Sequence, residues 1–190
     1  MPFANIERAL PWPGTNEGIT DATAPRFEND AEHSFALSFV GAAMAEELGL
    51  DPGKIALYAT YHDFVERYAG DTSAWDDAGL KTKQAREEQA LQQIKTEFKN
   101  TPKIAQVIEA YEAQADEEAR FVYSLDKFVS LILIYVSGGL FWQHEGITFE
   151  QHLAKVDEIR PKIAKHPVVL QWYDDALAAL AARKGEFFAG

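Results

Sequence analysis

Two histidines and one aspartate in this 190-residue chain sit where helix periodicity predicts apolar side chains, and a second aspartate adjoins one of the histidines. His33 lies four residues before Leu37, on the inward stripe of its helix. His62 shares a face with Ile55 and Tyr58, and Asp63 follows it directly. Asp126 shares its face with Val122, Val129 and Leu133 in the most apolar stretch of the chain. Taken singly, each has a plain explanation: a core histidine satisfied by hydrogen bonds, or an Asp126 carboxylate paired with Lys127. Burying an unpaired carboxylate is costly, however, and buried charges are usually paired or metal-bound. Convergence of the three faces accounts for all of them at once. His33, His62, Asp63 and Asp126 then make a nitrogen-and-oxygen site for one divalent cation. That donor set suits Mn²⁺, Co²⁺, Fe²⁺ or Mg²⁺, with Zn²⁺ also compatible and waters completing the shell. The chain has no cysteine, which excludes disulfides and thiolate metal sites.

The elements that must position these residues are helical. Residues 1–25 hold prolines and glycines without a clear period and read as an irregular arm. From about residue 28 onward Leu37, Val40, Met44 and Leu48 follow at steps of three and four, one helix face. "GLDPGK" breaks the chain, with Asp51 a cap and Pro52 suited to a first turn. A second helix is predicted over about 53–68, ended by Gly70, and "DTSAWDDAG" reads as a loop. Further helices are predicted from Leu80 to Asn100, over about 102–115 and 116–137, and from 149 to about 159 behind a Thr148/Gln151 capping box. The last runs over about 167–183, and its aromatics Trp172 and Tyr173, with Phe187 and Phe188, read as core before interface. No stretch alternates with period two for long enough to predict a strand. The expectation is an all-α, compact single-domain helical bundle over 1–190, with 26–136 as its core and 137–190 as C-terminal helices.

A net charge of −12 argues against nucleic-acid polymers as partners, because the surface repels phosphate backbones. A small phosphorylated ligand needs a local cation to offset that field. The N-terminus lacks the basic start and apolar core of a signal peptide, and "FVSLILIYVSGGLFW" is short for a membrane span. These features point to a soluble cytoplasmic protein with no membrane partner.

The order H…HD…D resembles the HD-domain phosphohydrolases. "RFENDAEHS" (26–34) is similar to the R-x-E-N/S-x-A/S-E/D-H stretch of the YfbR-like bacterial nucleotidases and the eukaryotic 5'-deoxynucleotidases. "YHDFVERYAGDT" (61–72) resembles the HD-x-x-E-x-x-x-GD segment of the same family, matching His62, Asp63, Glu66, Gly70 and Asp71. "KTKQAREEQALQQI" resembles the helix that follows it in eukaryotic members, and "EEARFVYSLDKF" the helix bearing the distal aspartate. The likeness covers about 26–136. Where bacterial members carry an Arg-Trp pair upstream of the first histidine, this chain reads "NEGIT", so base and sugar preference are not carried over.

The resemblance implies an all-α HD domain, a homodimer, and a metal-dependent 5'-nucleotidase hydrolysing (deoxy)nucleoside 5'-monophosphates. It places Glu66 and Asp71 as a joint acid–base pair and Arg26 as the cation for phosphate, with Lys127 and Lys83 as further substrate-binding candidates. Two-metal HD proteins need histidines between the HD pair and the last aspartate. This chain has none between Asp63 and Asp126, which favours one metal. The competing expectations are a nucleoside triphosphate hydrolase releasing triphosphate, and a non-catalytic domain whose metal staples helices around a nucleotide. His144, His152 and His166 are expected at the surface.

Overall fold

The computed structural model describes residues 7–11, 27–73 and 75–188. They fall into two compact units, 29–122 with 7–9, and 123–188 with 10, 11, 27 and 28. Helices dominate both, and the fold class is all-α. One departure is small: β1 (Glu7–Pro11) pairs with β2 (Phe27–Asn29) in a two-stranded sheet. A three-residue strand is too short to alternate visibly in sequence, and β1 falls in the stretch expected to be irregular.

In the first unit, α1 (Asp30–Leu48) begins at a reciprocal cap. The Asn29 side chain accepts from Glu32 N at 3.1 Å, and Asn29 N donates to the Glu32 carboxylate at 3.2 Å. Two of the amides a helix start leaves without partners are thereby satisfied. The buried line of α1 is Asp30, His33, Leu37, Gly41 and Ala45, facing α2. It is offset from the expected stripe, since Val40, Met44 and Leu48 are only half-buried. α2 (Pro52–Tyr61) starts as predicted, with Asp51 accepting from Gly53 N and Lys54 N and Pro52 in the first turn.

The expected 53–68 helix is interrupted. After Tyr61 the backbone closes three-residue turns, with Glu66 N donating to Asp63 O and Tyr68 N to Val65 O. α3 (Glu66–Ala69) then ends at Gly70, whose φ of +75° favours glycine. α4 (Asp77–Glu97) and α5 (Lys103–Glu112) enclose a core of Val65, Ala90, Ile94 and Ile108, with Phe64, Tyr68, Phe98 and Ile104 packed around it. Ile94 and Ile108 are fully buried, and burial of each contributes roughly 1.5–3 kcal/mol. Tyr58 ties α2 to the turn after α5, its hydroxyl donating to Asp116 at 2.8 Å. Lys54 Nζ lies 2.7 Å from Asp116 and 3.0 Å from Glu118 in the same network.

α6 (Glu117–Val136) carries the chain into the second unit. α7 (Leu140–Glu145) is a short helix that its sequence did not reveal, entered through Gly138 and Gly139 at positive φ. α8 (Phe149–Ile163) has the expected Thr148/Gln151 box but runs beyond 159 through Pro161, whose missing N–H falls in the last turn. α9 (Pro167–Ala182) and α10 (Lys184–Phe187) complete the unit. Tyr173, Phe187 and Phe188 are core, as expected. Two expectations fail here: His152 and His166 are buried at 6 % and 4 % exposure, while His144 is exposed. The Trp142 and Phe188 rings that cover His152 are too distant in sequence for helix periodicity to place them. Among the described residues no helix is long and apolar enough to cross a membrane.

Candidate metal centre

The break after α2 shapes the site. On a continuous α-helix, consecutive side chains diverge by about 100°, so His62 and Asp63 would point apart. Here His62 caps α2 and Asp63 opens the tighter turn, and His62 Nε2 faces Asp63 Oδ2 at 3.0 Å. His62 Nδ1 lies 2.9 Å from Ala59 O. A carbonyl oxygen only accepts, so Nδ1 carries the proton, and in the neutral ring Nε2 presents its lone pair to the carboxylate. Two acceptors face to face repel unless a positive charge lies with them. That is the arrangement a cation requires, with the second ring nitrogen held by a backbone carbonyl to fix tautomer and orientation.

His33 completes the group. It is fully buried on α1, and its ring stands 5.4 Å from that of His62, centre to centre. One ligand atom each from His33, His62 and Asp63 lie within 4.8 Å of one another. His33 follows the Asn29–Glu32 cap by one residue, so the cap that starts α1 also fixes the first turn bearing the imidazole. The Tyr111 ring stands steeply inclined to that of His62, 5.7 Å away, and packs against Tyr58 at 6.3 Å. This donor set fits a divalent first-row metal, and also fits Mg²⁺ with more water.

Asp126, the fourth predicted ligand, lies on α6 in the second unit, where it is 2 % exposed. Lys127 Nζ meets its carboxylate at 2.5 Å and lies over the Tyr123 ring. Glu66 is 3 % exposed at the start of α3, and its amide donates to Asp63 O, so one turn joins it to the cluster's carboxylate residue. Lys83 Nζ stands 3.4 Å from Glu66 Oε1 and 3.3 Å from Glu87 Oε1, a cation shared by two carboxylates. Asp71 is half-buried in the loop after Gly70. Arg26 lies outside the described residues.

Two features escaped the sequence reading. Asp30 is buried at 4 % exposure on the same face of α1 as His33, one turn earlier; the i, i+3 spacing was the available signal. Arg86 on α4 reaches back to the loop that carries Asp71, and no local pattern announced it.

Comparison with known proteins agrees with this geometry. Residues 16–166 match the HD domain family. The chain is 29 % identical over 102 residues to the mouse (Mus musculus) 5'-deoxynucleotidase HDDC2, a match covering 53 % of this chain and about half (51 %) of that protein. The crystal structure of a predicted metal-dependent phosphohydrolase from Magnetospirillum magnetotacticum MS-1 is similar over 99 % of this chain and 90 % of that one. Its TM-score is 0.75, at 26 % identity. The paired histidine and aspartate and the family match over most of the chain lead to one conclusion: this protein belongs to the HD domain family, a family of metal-dependent phosphohydrolases.

Proposed function

We propose that this chain is a metal-dependent 5'-nucleotidase that hydrolyses (deoxy)nucleoside 5'-monophosphates to nucleoside and phosphate. The observation that carries the reading is His62 Nε2 facing Asp63 Oδ2 at 3.0 Å with Nδ1 held by Ala59 O. His33, His62 and Asp63 would hold one divalent cation. Bound there, the ion supplies Lewis acidity, lowering the pKa of a coordinated water and withdrawing charge from a phosphoryl oxygen.

The chain's own residues do the rest. Ala59 O sets the His62 tautomer, so the ring keeps its acceptor nitrogen toward the ligand position. Glu66 and Asp71 act as an acid–base pair. One takes a proton from the attacking water as the new P–O bond forms, and the other protonates the 5'-oxygen as its bond to phosphorus breaks. Lys83 holds the Glu66 carboxylate in place from α4. Arg26 serves as the bidentate cation for the phosphate, which a chain of net charge −12 requires locally.

Monophosphate is favoured over triphosphate by the placement of the lysines. Lys83 is engaged by Glu66 and Glu87, and Lys127 by Asp126, so neither of these two lysines is offered whole to a longer phosphate tail. The name of the mouse relative points the same way. A homodimer is the assembly proposed from the resemblance.

The test is a panel of ribo- and deoxynucleoside mono- and triphosphates with chelator-stripped protein reloaded with Mn²⁺, Co²⁺ or Mg²⁺. Orthophosphate from 5'-monophosphates is the expected product. Triphosphate release would establish the alternative reaction, and no turnover by metal-loaded protein would refute both.

A further inference from the structure

The loop from Gly70 to Asp76 carries Asp71, and a single side chain from α4 ties the start of that loop to the first turn of α4. Arg86 Nη1 donates to Ala69 O, the carbonyl at the end of α3. Arg86 Nη2 donates to Thr72 Oγ1 at 2.6 Å and reaches Gly79 O at 3.4 Å, where α4 begins. Asp71 lies between Ala69 and Thr72, so two partners of one guanidinium flank it.

The far end of the loop is held as closely. Asp76 caps α4 by accepting from Gly79 N at 2.9 Å. A Cβ at residue 79 would lie 2.9 Å from Thr72 Cγ2 and 2.3 Å from Asp76 Oδ2, so the loop rests against the one α4 residue without a side chain. Thr72 is buried at 9 % exposure, and Arg86 is half-buried. Arg86 falls one helical turn after Lys83, which pairs with Glu66. Adjacent turns of α4 therefore address both members of the proposed acid–base pair.

We infer that Arg86 is a positioning residue that fixes the Asp71 loop on α4 in its working geometry. The inference rests on the reading of Asp71 as one of that pair. A planar guanidinium with several fixed donors engages a carbonyl on each side of a hydroxyl at once, which the single ammonium of lysine cannot do. Displacing a catalytic group by about 1 Å costs on the order of 100-fold in rate. A freed loop therefore lowers kcat while leaving metal binding, made by His33, His62 and Asp63, untouched.

The experiment has two arms on the full chain. Hydrogen exchange is followed in peptides spanning the Asp71 loop for the unsubstituted protein and for Arg86→Ala, Arg86→Lys and Thr72→Val. Phosphate release from a deoxynucleoside monophosphate and bound metal are measured on the same samples. Arg86→Ala is expected to exchange faster in that loop alone, keep its metal, and lose about ten- to 100-fold in kcat with little change in KM. Millimolar guanidinium should restore part of the rate, Arg86→Lys should not, and Arg86→Ala should add little to the loss in Asp71→Asn. If Arg86→Ala is poorly folded, Thr72→Val gives the milder version of the same pattern. Unchanged loop exchange in folded variants, or multiplicative losses with Asp71→Asn, would overturn the inference with the proposed function intact. An Asp71→Asn variant of full activity would instead overturn the role given to Asp71, whatever the exchange data show.

Discussion

Replacing His152 with leucine should remove an acid-sensitive component from the stability of the second unit. The imidazole is 6 % exposed, and its Nε2 has no hydrogen-bond partner among the described residues. The rings of Trp142, Phe149 and Phe188 lie 4.6, 6.4 and 5.6 Å from it, centre to centre. Burial pushes its pKa down from the ordinary 6.5 to about 4. Between those values the unfolded chain is protonated at His152 and the folded one is not, so stability falls as pH falls through that window. Above it both states are neutral and the effect vanishes; below it both are charged and the loss is complete. By linkage the full loss is about 3 kcal/mol, of which about 2 kcal/mol accumulates between about pH 7.5 and about pH 5. Leucine has similar volume and no titrating group, so the variant should lack that increment while matching or exceeding the parent at neutral pH. Urea unfolding followed by circular dichroism, run on both proteins across that range, measures the difference. Parallel pH dependences would refute the reasoning.

Asn29→Ala removes the side chain that accepts from Glu32 N and should cost about 0.5–2 kcal/mol, with Asn29→Asp close to neutral; equal urea midpoints for the parent and the alanine variant would contradict the cap. Gly139→Ala forces a side chain into φ +78° and sets its Cβ 2.4 Å from Phe187 O. The backbone alone should cost about 1–3 kcal/mol, and a variant that melts with the parent would show that α7 and α10 separate there without penalty.

Much of the molecule was legible because its signals are local. Asp51 and Pro52 open α2 and the Thr148/Gln151 box opens α8, each as spaced. His33 and His62 were identified by polar residues on apolar faces, and both are buried together. The acidic middle of "RFENDAEHS" carried an Asn-x-x-Glu cap signature, and the structure gives that pair its task. The interruption after Tyr61 was not legible, because three-residue turns keep nearly helical spacing and no glycine or proline marks the change. His152 and Arg86 were missed for a shared reason: what surrounds each comes from other elements, which periodicity along one helix does not report.

The central claim is that His33, His62 and Asp63 hold the ion on which monophosphate hydrolysis depends. It is tested most directly by measuring bound metal and orthophosphate release in the same samples of the parent, Asp63→Asn and His62→Gln. The parent, stripped and reloaded with Mn²⁺, should bind about one ion per chain and regain activity, while each variant should lose on the order of 100-fold or more in turnover together with its metal. Folded Asp63→Asn protein that retains both its metal and its full rate would contradict the account.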